Sequence, residues 1–181
     1  MKQFHALLLA FFLILLVGCG EETQVTSVPE PIALTEDAAG HYCQMIILDH
    51  PGPKAQMFMA AYLHPLWFSQ VRDGLARMKS AERTSEIQVL YVNDMGAAKS
   101  WQEPGVDNWI KADSAFYVVG SDAVGGMGAP EFVPFSSRDK ADQFAHARGG
   151  NVLAFTDISA ESVLSPIDIT QSSQKIRTMD D

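Results

Sequence analysis

An unbroken apolar run, Ala6 to Val17 (ALLLAFFLILLV), follows Lys2 and stops at Leu16-Val17-Gly18-Cys19. No other feature constrains the fold more, because it takes the first residues of the chain out of it. The run is too short to span a bilayer comfortably. A basic residue before it, with small residues and a cysteine after it, marks a cleaved leader in preference to a transmembrane helix.

The string ending in Cys19 resembles a bacterial lipobox, which implies cleavage before Cys19 and lipidation of that cysteine. Residues 1–18 are then a lipoprotein signal peptide; an uncleaved anchor or a plain signal peptide are the competing readings. A lipidated Cys19 leaves Cys43 as the sole thiol of the mature chain. In an oxidising envelope compartment an unpaired cysteine is exposed to oxidation and cross-linking, so its presence asks for a chemical reason. The formal net charge of -9 makes nucleic acid a poor partner, since an acidic surface repels phosphate backbones and anionic headgroups. Cationic ligands and surfaces stay open. With 47% hydrophobic and 19% charged residues over 181 positions, the chain suits one domain or two small lobes sharing a core.

Residues 19–35, polar, acidic and carrying Pro29 and Pro31, read as a flexible tether. Residues 36–92 form a first half of order β-β-α-β: strands over Tyr42–Leu48 and Ala55–Tyr62, a helix over Pro65–Met78 started by Ser69 or Pro65, and a strand over Ile87–Val92. The helix rests on Phe68, Val71, Leu75 and Met78 at three- and four-residue spacing. Residues 93–114 are a turn-rich connection. Residues 115–164 repeat the order, with strands over Ala115–Gly120 and Glu131–Phe135, a helix over Arg138–Arg148 capped by Ser136 and stopped by Gly149-Gly150, and a strand over Val152–Phe155. Residues 165–181 read as a frayed tail. Phe68-Ser69-Gln70-Val71-Arg72-Asp73 and Phe135-Ser136-Ser137-Arg138-Asp139 share a short string, which together with the repeated order suggests internal duplication. The fold class is α+β, two β-β-α-β halves packed together, since neither alone buries much core.

Thiolate and thioether sulfur are soft donors suited to Cu(I). Hard cations would ask for clustered carboxylates and structural zinc for four Cys or His at paired spacing, and the sequence offers neither. On a strand, Cys43 and Met45 project to one face. The bland alternative is a buried cysteine beside a core methionine. Met127, flanked by glycines in Gly125-Gly126-Met127-Gly128, and Met95, in Asn93-Asp94-Met95-Gly96, are further thioether candidates; each could equally tuck into a core. His41 and His50 could add an imidazole, as could His64, though a lone histidine is more often a surface or hydrogen-bonded residue. Cys43 as a catalytic nucleophile is the competing enzymatic reading, with His41 two residues away and no third orienting group evident. A purely structural or partner-binding lipoprotein is the third.

The strings HYCQMIILDHPGPKAQMFM, PLWFSQVRDGL, YVNDMG, WQEPGVDNWI and AFYVVGSDAVGGMGAPEFVPFS resemble the NosL family of nitrous-oxide-reductase accessory lipoproteins, from about His41 to Leu164. The resemblance implies a periplasm-facing, lipid-anchored copper chaperone and not an enzyme. Such a protein binds Cu(I) and works with an ABC-type assembly complex to build the copper-sulfide centre of nitrous oxide reductase. It implies a fold similar to organomercurial lyase, and ligation by Cys43, Met45 and, from the glycine loop, Met127. Family members commonly carry glycine between the cysteine and the methionine, where this chain has Gln44. Gly20 after the lipidated cysteine lacks the aspartate associated with inner-membrane retention, which favours the outer membrane.

Overall fold

The computed structural model of the chain describes residues 27–82 and 85–167. Cys19, the expected leader and residues 168–181 of the expected tail lie outside them. Strand β1, Ala55–Met59, is buried along nearly its whole length and sits inside a four-stranded antiparallel sheet. It pairs on one side with β2, Leu66–Phe68, and on the other with β3, Ile87–Asn93; β3 in turn pairs with β4, Trp109–Lys111. The second sheet has β5, Phe116–Val119, between β6, Val133–Phe135, and β7, Asn151–Ala154, again antiparallel. In both sheets the first strand is central, and a helix carries the chain from the second strand to the third: α1, Val71–Lys79, in one and α2, Arg138–Arg148, in the other.

Helix α1 is too short to stand alone in water, and its stability comes from the face it buries. Val71 and Leu75 are fully buried in a cluster that draws on both sheets: Met57, Phe68 and Leu90 from the first, Tyr117 and Phe132 from the second half. Each such side chain contributes about 1.5–3 kcal/mol on burial. Gly74 lets α1 approach β1 closely, since a Cβ there would meet Ala55 Cβ at 3.0 Å. Helix α2 covers the second sheet through Ala141, with Phe144 and Ala145 against a separate cluster around Val118, Val133 and Phe135. A short third helix, α3, Ala160–Leu164, is capped by Ser159 and buries Val163.

Several expectations are corrected. Tyr42–Leu48 is not a strand: it forms a turn, an isolated bridge between Ile46 and Ala39, and a 3-10 turn over Ile47–Asp49. The helix expected from Pro65 starts only at Val71, because Leu66–Phe68 pairs with β1; neither Ser69 nor Pro65 caps it. Ser137, not Ser136, caps α2, while Gly149 ends it at φ 75° as expected. The 93–114 connection contains β4. The strand expected over Glu131–Phe135 begins at Val133, and β7 runs one residue earlier at each end than expected. Part of the expected tether is docked: Ile32 exchanges two hydrogen bonds with the buried Gln56 amide, Tyr91 donates to Pro29 O, and Leu34 is buried with Ala38 and Ile47.

Candidate functional site

The segment from Gly40 to Met45 closes on itself. Gly40 N donates to Met45 O and Gln44 N to Gly40 O, both at 2.9 Å. Gln44 stands at φ 57°, in the left-handed region that costs an ordinary side chain roughly 1 kcal/mol or more. Glycine would stand there without strain, and Gln44 offsets the strain by donating from Nε2 to Gly40 O and His41 O. Cys43 and Met45 are thus presented by a tight turn and not by alternation along a strand. A Cβ at Gly40 would overlap the Cys43 sulfur, so the thiol packs directly on backbone. Its hydrogen-bond partner is the Ser69 hydroxyl at 3.9 Å, not an imidazole. His41 stacks with Tyr42 and Phe68; burial, helped by the Arg77 charge, holds its pKa below the usual value.

The glycine-rich loop is held by Gly125 N to Ala129 O, Gly128 N to Gly125 O and a bridge between Val124 and Pro130. Its glycines serve close approach. A Cβ at Gly126 would lie 2.7 Å from both Ser69 O and His50 Cβ, and one at Gly125 would lie 2.8 Å from the Gln70 side chain. Both loops therefore rest on Ser69-Gln70, the link between β2 and α1. Met45 and Met127 are each 43% exposed, which gives two thioethers to solvent beside a half-buried thiol. Tyr42, Ile46 and Leu48 on the first loop are exposed as well.

The remaining sequence candidates divide. His50 Nδ1 lies 3.0 Å from Gly126 O; if that nitrogen carries the proton, Nε2 is left as an acceptor, buried without a partner. Met95 belongs instead to the second core cluster, its backbone N–H donating to Pro134 O. His64 is exposed on the β1–β2 connection. Among the described residues no three His, Cys, Asp or Glu side chains gather as a metal site.

Sequence reasoning missed the buried frame beneath the loops. Lys54, 1% exposed, directs its ammonium at the carbonyls of His50, Pro51, Gly52 and Ser69. Burial lowers its pKa to about 8, with Glu131 pulling the other way. Glu131 accepts from Val71 N, Arg72 N and Phe132 N, so a carboxyl group from the second half caps α1 of the first. Burial raises its pKa to about 8 against those three amides. Asn93 ties Lys54 N to the carbonyls of Gly105 and Asn108, and Asp94 accepts from Gly96 N and from Ser136 at both N and Oγ. The signal for these residues was a charged or amide side chain inside an apolar stretch.

The arrangement places two exposed thioethers and a half-buried thiol on loops that share one support. A family model described as NosL matches residues 31–163. The copper-binding lipoprotein NosL of Achromobacter cycloclastes is 54% identical over 162 residues, covering 89% of this chain and 83% of that one. The copper-binding lipoprotein NosL of Stutzerimonas stutzeri is 37% identical over 153 residues, covering 84% and 77%. Among solved structures, the crystal structure of the copper chaperone NosL from Shewanella denitrificans matches with a TM-score of 0.67 at 28% identity, over 72% of this chain and 96% of that chain.

Proposed function

The chain belongs to the NosL family, and on that premise we propose that it is an envelope lipoprotein that holds Cu(I) with Cys43, Met45 and Met127 and passes it on. The observation that carries the reading is the pair of loops seated on one dipeptide. One offers a thiol and a thioether, the other a second thioether, and both methionines are exposed. Thiolate supplies affinity, while neutral thioethers exchange easily; an acceptor's donors displace methionine first and cysteine last. Copper here is cargo, so a site open to a partner is what transfer needs.

The proposed destination is the copper-sulfide centre of nitrous oxide reductase, reached with an ABC-type assembly complex. The lipid on Cys19, after loss of residues 1–18, holds the protein on the periplasmic side, with the outer membrane favoured. The repeated strand order of the two sheets supports descent of the halves from one duplicated unit.

Anaerobic titration with Cu(I) against a competing chelator tests the reading. Wild type should bind one equivalent tightly, Cys43→Ala should lose tight binding, and Met45→Ala should weaken it at least tenfold. Tight stoichiometric binding that survives Cys43→Ala would refute the site.

A further inference from the structure

We propose that Gln70 is a positioning residue that fixes Met127 relative to Cys43; the inference rests on the copper reading above and deepens it. Gln70 is 4% exposed, in the two-residue gap between β2 and α1. Both ends of its amide are committed. Nε2 donates to Asp73 Oδ1 at 2.9 Å, and Oε1 accepts from Met127 N at 3.3 Å. An ionised carboxylate only accepts, so Asp73 decides which way the amide faces and leaves the oxygen for Met127. The neighbouring Ser69 takes the Cys43 thiol on its hydroxyl, while its carbonyl lies under Gly126.

One dipeptide therefore touches both loops, and Gln70 is its only side chain bonded to the backbone of the residue bearing the second thioether among the described residues. A glycine-flanked methionine has little side-chain packing nearby to fix its place. Without the Gln70 contact, copper binding would have to order the Met127 backbone itself, and that cost appears as lost affinity. The rest of the loop keeps its own bonds, Gly125 N to Ala129 O and Gly128 N to Gly125 O, and His50 still meets Gly126 O. Loss of Gln70 should displace the methionine and leave the fold intact. Leucine or methionine here would abandon both bonds, and glutamate would set two carboxylates face to face.

A double-mutant cycle separates positioning from general stability. Gln70→Ala should weaken Cu(I) binding about tenfold, the equivalent of one modest hydrogen bond. The Gln70→Ala, Met127→Ala double variant should bind no more weakly than Met127→Ala alone. Wild-type affinity in Gln70→Ala, or effects that add, overturn the proposal. If Gln70→Ala does not fold, Gln70→Leu replaces it in the cycle, because leucine fills the buried space and abandons both hydrogen bonds. Amide hydrogen exchange on copper-free wild type gives an independent readout. A protected Met127 amide supports the contact, and exchange at the free-peptide rate overturns it. Wild type that fails to bind Cu(I), or binding indifferent to Cys43→Ala, overturns the copper reading first and this inference with it.

Discussion

At the scale of single residues, Gln44 shows how a turn can hold an ordinary side chain in a backbone region that favours glycine. A glycine would occupy φ 57° without strain, whereas Gln44 carries the strain and returns two side-chain hydrogen bonds to Gly40 O and His41 O. The two effects nearly cancel: Gln44→Gly should change unfolding free energy in urea by less than about 1 kcal/mol. A loss of several kcal/mol would mean that the side chain, and not the backbone, holds the turn. The proposed donors are legible as residue types, since a lone thiol, a thioether two positions on and a methionine among glycines all stand out in the sequence. Their geometry is not. Tyr42 to Leu48 looks like a strand because it is apolar, yet of its large apolar side chains only Ile47 is buried, while Tyr42, Met45, Ile46 and Leu48 face solvent. An apolar run kept at the surface defeats any argument from periodicity, and the residue that explains it, Gly40, carries no side chain to read.

At the scale of elements, strands β3 and β5 and helix α2 follow the periodicity of their apolar residues closely, because each buries one clear face or the whole strand. Helix α1 starts later than its apolar spacing suggests. Phe68 fits the helical spacing and the strand ladder equally well, and pairing with β1 across Ala55 to Met57 decides in favour of the strand. The cap of α1 was hidden for a different reason, lying some sixty residues downstream at Glu131. Folding raises that carboxyl from the ordinary 4.5 to about 8, so the folded chain keeps a proton that the unfolded chain releases. The stability it contributes is present below pH 4.5 and is lost as pH rises toward 8. Lys54 runs the other way: its value falls from 10.5 to about 8, and stability recovers between those limits. Chemical denaturation across pH should therefore show a falling limb between about pH 4.5 and 8, and Glu131→Gln should flatten it while the alkaline rise remains. An unchanged acid-side slope in that variant would mean Glu131 is ionised in the folded state.

At the scale of the whole molecule, the two sheets share one core, and the exposed donors sit over the frame that joins them. Leu75 from α1 packs in the same cluster as Tyr117 from β5. Truncating it, Leu75→Ala, should cost about 2–5 kcal/mol and leave a single unfolding transition. Fluorescence of Trp67 and Trp109 on the first sheet and of Trp101 beside the second cluster should change together with the circular dichroism. Two separated transitions would show halves that fold independently. The order β-β-α-β was readable in the second half, whereas the first half reaches it with other strands, Leu66–Phe68 standing in for Tyr42–Leu48. The candidate site was not readable, because Gln70 and Glu131 act across the halves and no local pattern announces a partner on the other side. X-ray absorption at the copper edge of the Cu(I)-loaded protein tests the central claim most directly. A low-coordinate, sulfur-dominated shell is expected, one that loses one sulfur in Met127→Ala and keeps the remainder. A shell dominated by nitrogen and oxygen, or one that Met127→Ala leaves untouched, would contradict it.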